Sequence, residues 1–317
     1  MRIAITGSNG YVGNFLAHYF SEKGISVVGL DLKSSKRQMN YFNFKFVKCD
    51  IRNKELIAKT FEYEKITHVI HLAYLMDPQH NRSFEDDIDI NGSIAVFIAA
   101  NKTSTVKQFV HFSSASIYGA RKHNPLWIAE DYPARPRDWV YAQNKKTVEE
   151  FYFSFKKREN LKLVNLRMCT AVGESYFKKG GVVKTLHSSP IGLFLDGKDT
   201  LIQFIHEDDV KRLIDLILND NKIEGIYNLA SNSYASTKQL NPKKIFISFP
   251  KKIFKLIIAF LWNLRLISVS PTAVNLVAHG IIVSPKKLAN KYNYKFLHST
   301  KSAYNSAVKA RIKNKTL

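Results

Sequence analysis

A chain of 317 residues, 45% of them hydrophobic and without repeats or low-complexity tracts, has the means to bury a large core as one big domain or two modest ones, which excludes a disordered polymer. Its two cysteines, Cys49 and Cys169, lie far apart without ligand spacing, which excludes a disulfide scaffold and a zinc site and predicts buried thiols in a reducing compartment. The net charge of +22 is uneven: 16 of the 48 Lys and Arg fall between Gly225 and Leu317, where Asp and Glu are absent, and without a recognisable RNA or DNA module this predicts a solvated basic face and no nucleic-acid partner.

Taken in chain order, Ile3 and Ile5 lie in a short β-type run that leads at once into Thr6-Gly7-x-x-Gly10-x-x-Gly13. Tyr11, Val12, Phe15, Leu16, Tyr19 and Phe20 then recur with helical spacing. A strand, glycine turn and helix in that order let a dinucleotide pyrophosphate approach bare N–H groups at a helix N-terminus, where a Cβ would hold it off. Eighteen residues past Gly13, the strand Ser26-Val27-Val28-Gly29-Leu30 ends in Asp31, where an acid would bind an adenosine ribose. No signal sequence is expected before this first strand, and no apolar run reaches the roughly 20 residues of a membrane span, so a cytoplasmic location is predicted.

A polar loop over Lys33 to Asn40 precedes a third strand, Phe44 to Asp50. Glu55 to Glu64 reads as a helix, and Thr67 to Ala73 as a fourth strand whose nearly continuous apolar character suits a parallel sheet covered on both faces. Ile88 to Asn101 is predicted helical, Gln108 to Ser113 a fifth strand, Tyr141 to Lys157 a long helix and Lys162 to Met168 a sixth strand. The alternation predicts an α/β fold, a Rossmann-type doubly wound parallel sheet with right-handed crossovers. Beyond Gly173 it becomes irregular, with loops expected at Lys178 to Gly181 and Pro190 to Gly197, and strands at Gln203 to His206 and Ile226 to Ala230. The expected division is a dinucleotide-binding domain over 1–170, to which 203–230 returns, and a smaller interleaved C-terminal substrate lobe from 171–202 and 231–317.

Tyr-x-x-x-Lys occurs six times, at Tyr19, Tyr41, Tyr118, Tyr141, Tyr152 and Tyr234, so the spacing alone selects nothing. A serine leaving a strand end toward the tyrosine at the head of the next long helix does. Phe112-Ser113-Ser114-Ala115-Ser116-Ile117-Tyr118-Gly119 supplies the strand end and Tyr141 the helix. Tyr152 lies about 16 Å further along that helix and belongs to another level of the fold.

With these pieces in order, the chain resembles an extended short-chain dehydrogenase/reductase of the NAD-dependent epimerase/dehydratase family. Asp50-Ile51, His71-Leu72-Ala73, Asn91, Leu166-Arg167-x-x-x-x-Gly173, Phe204-Ile205-His206-x-x-Asp209-Val210 and Gly225-x-Tyr227-Asn228 extend the resemblance from Ile3 to about Ala310. It implies NAD as cofactor, with Gly7, Gly10, Tyr11, Val12 and Gly13 at the pyrophosphate and Asp31 at the ribose. Asp50 and Ile51 would meet the adenine, and Leu72 and Ala73 the nicotinamide half. Tyr141 is the implied acid/base, Lys145 the ligand of the nicotinamide ribose, and Ser114 the hydrogen-bond partner of the reacting oxygen; no metal is implied. Lys145, one helical turn past Tyr141, supplies positive charge that favours the phenolate of a group with an ordinary pKa near 10.

Departures narrow the reaction. Dehydratases resembling this family carry Thr-Asp-Glu where Ser114-Ala115-Ser116 stand, which disfavours water elimination. Related 4-epimerases often read His-Phe-Ala-Gly-Leu-Lys, whereas here the run is His71-Leu72-Ala73-Tyr74-Leu75-Met76, a bulkier and less charged wall. Met76, Ser116, Thr170 and His206 are the candidate substrate contacts. Ser113, His71 and His111 are expected to be satisfied inside the sheet, and Arg167 to serve either as an ion-pair partner or as a substrate clamp. Three functions follow: an NAD-dependent epimerase of a nucleotide-activated sugar; an NAD(P)-dependent dehydrogenase or reductase of a sugar, sterol-like or other carbonyl; or a non-catalytic dinucleotide sensor. Asp31 predicts NAD over NADP, although Lys33, Lys36 and Arg37 follow it.

Two surfaces are also predicted. A homodimer would pair through Ile88 to Asn101 and Tyr141 to Lys157, the latter displaying Phe151, Tyr152, Phe153 and Phe155. In Lys251 to Ile267, the residues Lys251, Lys252, Lys255, Asn263 and Arg265 gather within about 160° of a helical wheel opposite Ile, Leu and Phe. That apolar side is expected to pack on the second lobe; the alternative is peripheral contact with an anionic membrane.

Overall fold

The computed structural model describes residues 1–34, 38–136, 139–175, 181–267 and 269–314. The chain opens with β1 (Arg2–Thr6), α1 (Tyr11–Glu22), β2 (Ser26–Asp31), β3 (Phe44–Lys48), α2 (Lys54–Tyr63) and β4 (His68–His71). α3 (Arg82–Asp86), a π-helical turn (Asp87–Gly92), α4 (Ser93–Lys102), β5 (Gln108–Ser114), α5 (Val140–Ser154) and β6 (Lys162–Met168) follow. Next come β7 (Thr170–Val172), α6 (Gly181–Ser188), β8 (Ile191–Leu195), β9 (Leu201–Ile202), β10 (Phe204–His206), α7 (Glu207–Asn219) and β11 (Gly225–Leu229). The last are β12 (Ala235–Ser236), α8 (Thr237–Leu240), β13 (Ile245–Phe249), α9 (Lys251–Asn263), α10 (Val274–Ala278), α11 (Lys286–Tyr292) and α12 (Thr300–Lys313).

Seven strands form the central sheet in the order β11-β6-β5-β4-β1-β2-β3, and β3, β2, β1, β4 and β5 pair in parallel. This is the Rossmann-type α/β architecture that the alternation predicts. Ile3, Ile5, Val27, Leu30, Val69, Ile70, Phe109 and Val110 are buried, as strands covered on both faces require. The order reverses between β1 and its two neighbours, β2 and β4, and in open parallel sheets such a reversal leaves a crevice at the strand C-termini.

By internal contacts the chain divides into two compact units. The first comprises 1–114, 144–167 and 211–227, and the second 115–143, 168–210 and 228–317. The second unit is built on three short strand pairs, β7 with β10, β8 with β13 and β9 with β12. Asp209 ties its last part together, accepting from the Tyr294 hydroxyl at 2.8 Å and from the amides of Leu297 and His298.

Several elements differ from expectation. The segment from Pro190 to Gly197 is not a loop: Ile191–Leu195 pairs in parallel with Ile245–Phe249, a partner too distant in sequence to be read from a five-residue apolar run. Lys178 to Gly180 lie outside the described residues, and Gly181 opens α6 instead of closing a loop. The helix expected over Ile88 to Asn101 begins earlier, as α3, and reaches α4 through the π-helical turn. Of the four aromatics at 151, 152, 153 and 155, only Phe153 is exposed; Tyr152 is buried, and Phe151 and Phe155 pack on the unit's own core with Phe97 nearby. α9 stops at Asn263, and Arg265 turns the chain with a φ of 57°. One apolar flank of α9, Phe254 and Ile258, packs on Leu195, Val274 and Ala278 as expected, but Ile253, Leu256, Ile257, Phe260 and Leu264 face outward.

Candidate active site

The glycine loop is shaped by close backbone approach. Gly7 has a φ of +70°, its N–H donates to Leu30 O at 2.9 Å, and a Cβ there would lie 2.7 Å from Ala73 N. A Cβ on Gly13 would stand 2.2 Å from Gly7 O, so only glycine lets α1 start this near β1. Thr6, Leu72 and Ala73 close the far side, with the Thr6 hydroxyl accepting from Leu72 N at 3.3 Å and Ala73 N at 3.4 Å. Asp31 ends β2 beside the loop, its carboxylate taking the N–H of Asn9 at 2.9 Å and of Leu32 at 2.7 Å. Tyr11 and Val12 begin α1, whose N-terminal cap is Gly10. Bare N–H groups at a helix start, with a carboxylate at the neighbouring strand end, fit a dinucleotide. Asp50 is engaged differently, in an ion pair with Arg52 at 2.6 Å that holds its carboxyl below the usual range; Ile51 is buried beside it.

The second group surrounds Lys145, which is buried. Its ammonium donates to Phe112 O at 2.7 Å and lies 3.5 Å from the centre of the Tyr74 ring. Burial pushes Lys145 down to about 7, against the pull of the Asp89 and Glu149 carboxylates, which raise it. Asp89, carried inward by the π-helical turn, accepts from Leu75 N at 2.9 Å, and burial pushes it up to about 7. One turn beyond Lys145, Glu149 forms a buried pair with Arg167 at 2.9 Å and accepts the Ser113 hydroxyl. That network pins α5 to β5 and β6 and fixes where Lys145 can reach. Arg167 is therefore an ion-pair partner.

His71 is satisfied inside the sheet as expected, whereas His111 is satisfied only at Nδ1, its buried Nε2 having no hydrogen-bond partner among the described residues. His71 bridges the Thr6 hydroxyl at 2.7 Å and the Ser93 hydroxyl at 2.9 Å, and burial holds it down at about 3, so it is neutral at physiological pH. His111 bonds Asn165 at 2.6 Å, and burial likewise keeps its pKa well below the usual value. The thiols of Cys49 and Cys169 are free and buried, pushed up to about 11 and about 12 by that burial. Tyr152, the other Tyr-x-x-x-Lys tyrosine on α5, is a core residue whose hydroxyl donates to Ser93 O at 2.9 Å.

Ser114 ends β5, half-buried, and Tyr141 lies in the first turn of α5, buried, with its ring 5.0 Å from that of Trp139. Ser116 is buried in the 3-10 turn after β5, Thr170 is exposed at the start of β7, and Met76 is exposed after β4. His206 is buried, its ring stacked on His298 at 3.8 Å and its Nε2 3.2 Å from the Ser306 hydroxyl. Together with Asp208 these two histidines bring three possible ligand atoms within 4.8 Å, but His206 Nδ1 already accepts the Asp208 amide. Sequence reasoning missed Asp89 and Tyr74 at Lys145. Asp89 sits in an acidic run that reads as a solvated helix face.

Comparison with known proteins gives the context. A family model described as NAD dependent epimerase/dehydratase family matches residues 3–230. The dTDP-D-glucose 4,6-dehydratase of Dictyostelium discoideum is 26% identical over 278 residues, 78% of this chain, and the chain spans 62% of that relative's length. Among solved structures, the Bordetella bronchiseptica enzyme WbmG in complex with NAD superposes with a TM-score of 0.77 at 22% identity, covering 100% of this chain and 95% of that one. The UDP-glucose 4-epimerase of Thermotoga maritima with UDP-glucose gives 0.77 at 20% identity, with 99% of each chain covered.

Proposed function

Because the chain belongs to the NAD dependent epimerase/dehydratase family, we propose that it is an NAD-dependent enzyme that inverts a carbon of a nucleotide-activated sugar by transient oxidation. NAD, when bound, supplies the site that accepts the hydride and returns it. The N–H groups of the Gly7 to Gly13 turn and Tyr11 and Val12 hold its pyrophosphate, and Asp31 accepts from the ribose hydroxyls. Asp50 and Ile51 border the adenine, and Leu72 and Ala73 the nicotinamide half.

The observation that carries the proposal is the buried ammonium of Lys145, held by Phe112 O one helical turn beyond Tyr141. In this reading that positive charge favours the phenolate of Tyr141, which takes the sugar hydroxyl's proton and gives it back. Ser114 donates a hydrogen bond to the oxygen as it gains carbonyl character. Met76, Ser116, Thr170 and His206 are the proposed substrate contacts, of which exposed Met76 and Thr170 are the more accessible. Epimerisation is favoured over dehydration because Ala115 and Ser116 offer no carboxyl group after Ser114 to drive loss of water. A homodimer through α4 and α5 and a cytoplasmic location complete the reading, the second supported by two free thiols.

The test is incubation with a panel of UDP- and dTDP-sugars, following isomer ratio and cofactor absorbance together. An epimerase interconverts isomers without accumulating NADH. Tyr141→Phe should lower turnover by about a hundredfold to ten-thousandfold with NAD binding intact. Stoichiometric NADH, or unchanged turnover in the variant, overturns the assignment.

A further inference from the structure

Helix α9 presents its apolar residues to solvent. Ile253, Leu256, Ile257, Phe260 and Leu264 recur at i, i+3, i+4, i+7 and i+11, a single ridge along the helix, and Leu256 and Phe260 are 70% and 65% exposed. No residue of α9 is fully buried. The opposite flank is already satisfied: Phe254 and Ile258 pack on Leu195, Val274 and Ala278. Leu266 and Val269, just past the helix, are exposed as well. Scattered apolar residues on a surface need no explanation, but a continuous ridge of this kind marks a contact surface.

Its surroundings are cationic. Lys252 is exposed at the ridge's edge, Lys243 and Arg265 are exposed before and after the helix, and no Asp or Glu occurs in the sequence beyond Glu224. The loop between β8 and β9 carries two carboxylates, which keep their charge while accepting hydrogen bonds at helix starts, Asp196 from the amide of Lys251 at the N-terminal end of α9 and Asp199 from Thr237 and the amide of Lys238. A second copy of the chain would bring the same lysines against each other. A surface of anionic lipid headgroups over hydrocarbon matches both the charge and the apolar ridge.

We propose that the outward face of α9 docks this protein on anionic membranes, with the ridge from Ile253 to Leu264 entering the headgroup boundary and Lys243, Lys252 and Arg265 meeting lipid phosphates. The thirteen residues of α9 extend about 20 Å, so the helix lies along the interface and does not cross it. Among the described residues no helix is long and apolar enough to cross. The docking surface is independent of the nucleotide-sugar reading, because none of its residues belongs to the proposed catalytic or cofactor groups.

The experiment is co-sedimentation of the full chain with vesicles of phosphatidylglycerol mixed with phosphatidylcholine, and with phosphatidylcholine alone, at low and physiological salt. The wild type should pellet with the anionic vesicles and weaken as salt rises. Leu256→Asp with Phe260→Asp should lower the partition constant at least tenfold without moving the melting temperature, since both side chains are exposed. Lys252→Gln should lower it about fivefold, on anionic vesicles only. Because Cys49 and Cys169 are buried, Phe260→Cys offers a site for a polarity-sensitive dye, whose emission should shift to the blue on anionic vesicles. The proposal is overturned if the wild type stays in the supernatant with every vesicle, or if the double Asp variant, melting as the wild type does, pellets as well. It is equally overturned if light scattering shows a dimer that the double variant splits and neither form binds lipid, which would assign the ridge to a second copy.

Discussion

Burial works against the charge on Lys145, and the carboxylates of Asp89 and Glu149 oppose that effect. Asp89 raises the pKa of Lys145, so Asp89→Asn should lower it. The ammonium proposed to sustain Tyr141 would then be lost at a lower pH, and the alkaline limb of the kcat/KM profile should move toward acid. A profile that stays put or moves toward alkali contradicts the assignment. Asp31 makes the second residue-scale prediction: a carboxylate beside the glycine loop repels a 2′-phosphate, so Asp31→Ser should narrow the preference for NAD over NADP. Titration of both cofactors by Trp fluorescence checks it, and an unchanged ratio counts against it; Lys36 and Arg37, the rival phosphate contacts, lie outside the described residues. The tight turn at Gly7 and Gly13 and the place of Asp31 at the end of β2 were legible in the sequence because they depend on neighbours in the chain. Asp89 and Tyr74 were not, since a carboxylate in the run Asp86, Asp87, Asp89 has the pattern of a wet surface until the π-helical turn rotates it inward.

Among elements, α5 is fixed by the group of Ser113, Glu149 and Arg167 more than by its modest amphipathicity. Arg167→Met leaves Glu149 buried without its cation, which should cost about 3–5 kcal/mol. Replacing Glu149 by Gln in the same chain should recover part of it, and paired denaturant titrations decide the matter. The central strands were readable because runs such as Val69-Ile70 and Val27-Val28 between turn residues suit a doubly covered sheet. β8 was hidden because its partner, β13, lies more than fifty residues away and their isoleucines remain exposed, so neither strand shows a core pattern. α9 was legible as an amphipathic helix, but the side that packs follows from where β8 and α10 stand, which no wheel contains.

At the scale of the molecule, the net charge of +22 and its concentration after Gly225 are sequence facts whose meaning depends on what the fold leaves outside. The proposed homodimer has lost most of its aromatic argument, since Phe151, Tyr152 and Phe155 serve the protein's own core, and it now rests on Phe153. Light scattering should give twice the chain mass of 36.3 kDa, and Phe153→Asp should halve it; a monomer at micromolar concentration for the wild type ends that proposal.

The first compact unit is assembled from three separate stretches of chain, and its outermost strand, β11, is made last. During synthesis β6 therefore emerges with one backbone edge unpaired and keeps it so while more than fifty further residues are added. An open edge on a half-built sheet is able to pair with another nascent chain, so between β6 and β11 the growing chain carries an edge that only β11 later covers.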